Sequence, residues 1–162
     1  MINLNTIFNA GRVRRWHSNA EMSWTEDYND AHQGRVARLL LALHPKPSQM
    51  LIAAALTHDD GESFTGDMSF DAKKSNPQLR TMLKQAEDAA ICVIWGLEET
   101  PHFRLSDDEK EWLEFADRLD SYMWTMHKLP RSLNHTGWAR QREELLAFAE
   151  KKDILECLLF LN

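Results

Sequence analysis

Helical spacing of apolar side chains over most of the chain, almost no strand-like alternation, and only six glycines and five prolines in 162 residues predict an all-α fold. A first helix is expected near residues 4–13. The second runs from about Asp27 to Leu43, with Thr25 as its N-cap, and stops before "HPKP". A third starts after Pro47 with Ser48 in its first turn, carries "MLIAAAL" and ends near Asp60–Gly61. Residues 61–76, "GESFTGDMSFDAKKSN", read as a loop or irregular turn. A fourth helix covers about Pro77–Leu97, and "EETPHFRLS" breaks it. Ser106 caps a fifth over about Asp107–Lys128, whose acidic first turn suits the helix dipole. "LPRSLNHTG" is a loop, and two last helices follow near 137–151 and 153–161. With no repeat, low-complexity segment or linker in view, one compact helical domain over residues 1–162 is expected.

Composition narrows the function. A content of 43% hydrophobic and 27% charged residues is that of a soluble globular protein. No apolar run approaches the ~20 residues of a membrane span, and the N-terminus lacks the basic-then-apolar order of a signal peptide. An intracellular protein with no membrane partner is therefore expected. The net charge of −6 argues against polymeric nucleic acid but not against a small anion, for which "GRVRRW" offers Arg12, Arg14 and Arg15. A solvated basic face is the plainer alternative for that cluster. Cys92 and Cys157 lie far apart in apolar helical context, as buried reduced thiols would.

The stretch "ALTHDDGESFTGDMSF" sets the chemical question. An apolar helix delivers His58, Asp59, Asp60, Glu62 and Asp67 at its end, and such a cluster is costly to bury without compensation. On the second helix His32 shares the face of Val36, Leu39, Leu40 and Leu43. On the fifth, Leu113, Asp117 and Asp120 share a face. Alone, His32 suggests a hydrogen-bonded core histidine, and Asp117 a salt bridge to Arg118 or a neighbouring helix. Together with His58–Asp59 they give an H…HD…D order of two imidazoles and two carboxylates. That N/O set suits Co²⁺, Mn²⁺, Fe²⁺, Ni²⁺ or Zn²⁺ and leaves positions open on an ion that prefers six ligands. A divalent cation among the acids would keep them ionised. Glu62, one turn beyond His58 if the helix persists, stands where a general base belongs. Its plainer alternative is a helix C-terminal acid, and that of Asp67, which follows Gly66, is an Asx-turn cap.

"RRWHSN", His32, "HDDGESFTGDM" and "EFADRLDSYMW" together resemble the HD-domain phosphohydrolase superfamily. Over about the first 125 residues the pattern resembles the YfbR-like 5′-deoxynucleotidases. It is also similar to phage HD-domain dATP triphosphohydrolases. The resemblance implies His32, His58, Asp59 and Asp117 as metal ligands, with Co²⁺, Mn²⁺ or Zn²⁺ as the cofactor. It implies Glu62 and Asp67 as the carboxylates that activate water and handle the leaving-group proton. Arg15 would grip a phosphate and Lys73 a further one. Trp16 would pack against the sugar or base and exclude a 2′-hydroxyl, with anchoring of the first helix to the core as its plainer alternative, and Ser18 would line the pocket. The family's proline-bearing "GDLPTPVK" is "GDMSFDAK" here, with Ser69 and Asp71 in a loop that would shape the base pocket.

The function expected from the sequence is hydrolysis of dATP to deoxyadenosine and triphosphate, with dADP and dAMP as further substrates. Arg12, Arg14, Lys73 and Lys74 favour this reading. A 5′-deoxynucleotidase acting on dNMPs is the alternative, and a non-catalytic helical nucleotide-binding domain is the alternative of another class. Six tryptophans and "SYMWTMHKL", with the resemblance, imply a homo-oligomer, a dimer or a hexamer. The expected location is the cytoplasm, or the host cytoplasm for a phage-encoded chain.

Overall fold

A computed structural model describes residues 2–161, without the side chains of Phe70 and Asp71. Its elements are helical. The first, α1 (Leu4–Ala10), is capped by the Asn3 side chain and stops earlier than the spacing predicts. Residues 11–28 then form turns, with an isolated antiparallel bridge between Arg14 and Tyr28. Backbone bonds from Arg15 N to Asp27 O and from Asn29 N to Val13 O, each 3.0 Å, tie this segment to the next helix. That helix, α2 (Asn29–Leu43), starts later than expected: Tyr28, not Thr25, is its N-cap.

Ser48 caps α3 (Gln49–Ala55) by accepting from Leu51 N. The helix ends well before Asp60, because residues 56–61 tighten into turns with bonds such as Thr57 N to Ala54 O and Asp60 N to Thr57 O. The expected loop over 61–76 contains two short helices, α4 (Glu62–Thr65) and α5 (Phe70–Ser75), around Gly66. The long α6 (Pro77–Trp95) begins on an Asn76 cap and ends on Gly96 at φ +63°. A 3₁₀ turn over Pro101–Arg104 leads to α7 (Asp107–Lys128), where Ser106 and Glu109 form a capping box. A second 3₁₀ turn, Pro130–Asn134, precedes α8 (Thr136–Lys151), and the last expected helix is a 3₁₀ segment, Leu155–Leu161.

The core lies where α2, α3, α7 and α8 meet. Val36 and Leu40 of α2, Leu51 of α3, Trp112, Phe115 and Leu119 of α7, and Leu145 of α8 form one buried cluster. Phe115 stacks on Phe148 at 4.3 Å, and Trp112 meets both rings edge-on. Packing α7 across α2 brings its Asp117 and Asp120 against His32, one end of that core. Both cysteines are free, but neither is a core residue: Cys157 is exposed and Cys92 half-buried. Among the described residues no helix is long and apolar enough to cross a membrane.

Candidate active site

His32 is fully buried on the core face of α2. The turns after α3 bring His58 and Asp59 to the same point. His58 Nε2 and His32 Nε2 each lie 3.5 Å from Asp59 Oδ2. Asp117 Oδ1 is 3.0 Å from His32 Nε2 and 3.9 Å from His58 Nε2. Asp117 therefore faces the imidazoles, while Arg118 pairs with Glu114 and Glu144. His32, His58 and Asp59 hold one ligand atom each within 4.8 Å of one another.

Two features test whether these residues fit a divalent cation. Both Nε2 atoms are buried and make no well-aimed hydrogen bond, although Asp117 Oδ1 lies 3.0 Å from that of His32, a costly arrangement for a polar atom unless something coordinates it. The site is also short of positive charge. Burial opposes a charged His58, yet Asp59 and Asp117 push its pKa up to about 9. Burial likewise pushes Asp117 up, but the two imidazoles hold it well below the usual carboxylate range. Imidazole nitrogens set among carboxylates that stay ionised are chemically matched to a borderline divalent cation.

Glu62 opens α4 beside this cluster and is buried. Its Oε2 accepts from Asn29 Nδ2 at 3.0 Å, and Lys73 Nζ lies 3.7 Å from its Oε1. Burial, reinforced by Asp59 and Asp67, raises its pKa to about 8. Lys73 also lies 3.8 Å from Glu87. The proximity of Glu62 to His58 does not come from a continuing helix, as the sequence suggests, but from three-residue turns such as Glu62 N to Asp59 O. Those turns run so close to α6 that a Cβ on Gly61 would meet Glu87 O at 2.4 Å.

Arg15 donates from Nη1 to Asp59 Oδ2 at 2.7 Å and reaches Ser121 Oγ at 3.4 Å. Trp16, next to it, holds φ +63°, a left-handed conformation rare for a bulky residue. Its backbone N–H donates to Asp67 Oδ2 at 3.0 Å, and its indole Nε1 donates to Asp27 Oδ2 at 3.3 Å. Asp67 thus clamps the Trp16 backbone across the site. Ser18 is exposed on the following turn. Asp71, expected near the base pocket, has its side chain outside the description, and Ser69 caps α5 by accepting from Ala72 N.

Several contributors were not singled out from sequence. Trp138 of α8 sits 6.2 Å from the Trp16 ring and 6.0 Å from Tyr122. Asp27, Asn29 and Arg35 complete the polar network beneath the site. A buried Asp or Asn at a helix start was the available signal, but its partners lie far away in sequence. Asp60 anchors the turn, accepting from Gln33 Nε2 at 3.0 Å and Trp95 Nε1 at 2.6 Å.

No curated protein matches this chain. The model of the family described as 5′-deoxynucleotidase YfbR-like matches residues 12–162, from the arginine cluster through the final 3₁₀ segment. The chain accordingly belongs to the YfbR-like 5′-deoxynucleotidase family, a family of phosphohydrolases.

Proposed function

We propose that the protein is a divalent-metal-dependent 5′-deoxynucleotidase, which hydrolyses a deoxynucleoside 5′-monophosphate to the deoxynucleoside and inorganic phosphate. The observation that carries this reading is the convergence of the buried Nε2 atoms of His32 and His58 on Asp59 and Asp117, with Arg15 and buried Glu62 alongside. His32, His58, Asp59 and Asp117 would hold the cation. A cation bound there supplies Lewis-acid polarisation of a phosphoryl oxygen and acidifies a water. Arg15 would orient the phosphate through its planar fork. Glu62, buried and with a raised pKa, suits the proton work: it takes a proton from the attacking water and returns one to O5′ as the P–O5′ bond breaks. Asp67 supports Glu62 by keeping that carboxyl protonatable and Trp16 by holding its backbone.

Two of the cations that favour a triphosphate in the sequence have other work in the fold. Arg14 donates to the backbone carbonyls of Ser23 and Thr25, and Arg12 lies over the Phe8 ring at 5.5 Å. Arg15 and Lys73 remain at the site, enough for one phosphate dianion. This supports the monophosphate over dATP. Phosphate-product analysis on a panel of dNMPs, dNTPs and NMPs, with Co²⁺ or Mn²⁺ added after chelator treatment, tests the reading. Orthophosphate from dNMPs is the expected product. Triphosphate released from dATP would replace this assignment with the triphosphohydrolase, and no turnover of any nucleotide would favour a binding domain.

Exposed apolar side chains on α1, α4 and α6, among them Leu4, Phe8, Phe64 and Met82, support self-association. Light scattering at micromolar concentration should give at least a dimer, and a monomer would remove that part of the reading.

A further inference from the structure

The two imidazoles of the site are aimed by different devices. His58 Nδ1 lies 2.9 Å from the backbone carbonyl of Ala55. A carbonyl can only accept, so Nδ1 carries the proton and, in the neutral ring, Nε2 presents its lone pair. His32 has no such local partner. Its Nδ1 lies 2.7 Å from Oδ2 of Asp120, which is buried on α7 and 88 residues away in sequence.

Asp120 is itself fixed. Arg35 donates from Nε to Asp120 Oδ1 at 2.6 Å and from Nη2 to Oδ2 at 3.0 Å. The same Nη2 reaches both oxygens of Asp27 at 2.9 and 3.0 Å. The guanidinium lies over the Trp124 ring at 4.6 Å, which holds its plane. A guanidinium never accepts a hydrogen bond, so both Asp120 oxygens are locked as acceptors. The remaining lone pair on Oδ2 must then meet an N–H on His32.

We infer that Asp120, held by Arg35, is the positioning residue that keeps the proton of His32 on Nδ1 and its Nε2 lone pair toward Asp59 and Asp117. The inference rests on the reading of His32 as a metal ligand. It adds a residue to which the family resemblance gave no role. It also gives a role to the part-buried Arg35–Asp120 pair that stands behind the site. A carboxylate behind a ligating imidazole fixes the ring and raises its basicity, and losing one typically weakens metal affinity about 10- to 100-fold.

Asp120→Asn provides the sharpest test, because it keeps the shape and inverts the hydrogen bond. Arg35 Nε needs an acceptor at the δ1 position, whereas Nη2 keeps Asp27. The amide oxygen should therefore face Arg35 and the amide N–H₂ should face His32. His32 Nδ1 then accepts, and the proton moves to Nε2. In chelator-treated protein, ¹⁵N NMR of the neutral His32 ring should show Nδ1–H in the wild type and Nε2–H in Asp120→Asn. Co²⁺ titration followed by its visible spectrum should show affinity about 10- to 100-fold weaker in Asp120→Asn and in Asp120→Ala. His58→Ala is the control for the ligand reading. If His58→Ala loses Co²⁺ and Asp120→Asn does not, Asp120 has no positioning role. An unchanged His32 tautomer in Asp120→Asn overturns the inference as well. If His58→Ala binds Co²⁺ as tightly as the wild type, the metal-site reading fails, while the tautomer measurement still decides whether Asp120 sets the proton on His32.

Discussion

Arg15 Nη1 donates to Asp59 Oδ2 at 2.7 Å, the same oxygen that lies 3.5 Å from the Nε2 atoms of His32 and His58. One carboxylate oxygen therefore joins Arg15 to the candidate metal cluster. Burial pushes Asp59 up, but His58, Arg15 and His32 together hold it below the usual carboxylate range.

Arg15→Ala should lower kcat/KM about 10- to 1,000-fold for every phosphorylated substrate, since each carries the group it binds. Metal content should be retained, because the four donors remain. Arg15→Lys should restore little, as an ammonium cannot reach Asp59 and a phosphate through one planar fork. Steady-state kinetics with elemental analysis checks this, and metal loss in Arg15→Ala would make the Asp59 contact the more important of its two roles.

Glu62→Gln should keep metal and lose turnover by about 10²- to 10⁴-fold. Its stability should also depend on pH in a defined direction. In the metal-free fold the Glu62 pKa is raised from 4.5 to about 8, first by burial and then by Asp59 and Asp67. Between those values the folded state binds the proton that the unfolded state has lost, so the contribution of Glu62 is present below 4.5 and lost as pH rises through about 8. Denaturation of metal-free samples should show Glu62→Gln gaining on the wild type across that window. A constant difference from pH 4 to 9 would mean that Glu62 is not the desolvated group described.

Gly61→Ala should destabilise the fold by about 1–3 kcal/mol. Its Cβ would meet three backbone atoms of Glu87, the nearest at 2.4 Å, so no side-chain rotation relieves the clash. Moving the turn away from α6 also moves Glu62, and activity should fall with stability. Chemical denaturation measures the first effect. A variant as stable as the wild type would show that the turn and α6 can part freely.

Trp16→Ala should relax discrimination between deoxyribo- and ribonucleotides, expected at about 10- to 100-fold in kcat/KM for the wild type. The indole is held by its strained backbone, by Asp67 and Asp27, and beside Trp138, so it cannot swing aside cheaply for a 2′-hydroxyl. Competing dAMP against AMP measures the ratio. Equal rates on both in the wild type would leave Trp16 as an anchor of the loop only.

The helices were legible in the sequence wherever the information is local. Ser106 with Glu109, Ser48 after Pro47, and Asn76 before Pro77 are caps that act within three or four residues, and α3, α6 and α7 start at them. The apolar face of α2 likewise buries His32 as its periodicity requires. Ends without a local stop signal differ from expectation: α3 halts at Ala55, where three-residue turns take over, and Gly61 among them packs directly against Glu87 of α6. The candidate ligands could be picked from sequence because imidazoles and carboxylates on apolar faces demand a partner wherever they are buried. Which groups answer that demand was decided by packing. Asp117 meets His32 rather than Arg118, Asp120 reaches across 88 residues to His32 Nδ1, and Arg14 turns to backbone carbonyls instead of a phosphate. A side chain's need for a charge partner belongs to the residue itself, but the partner's identity depends on how α7 crosses α2, a contact between segments that no local pattern encodes.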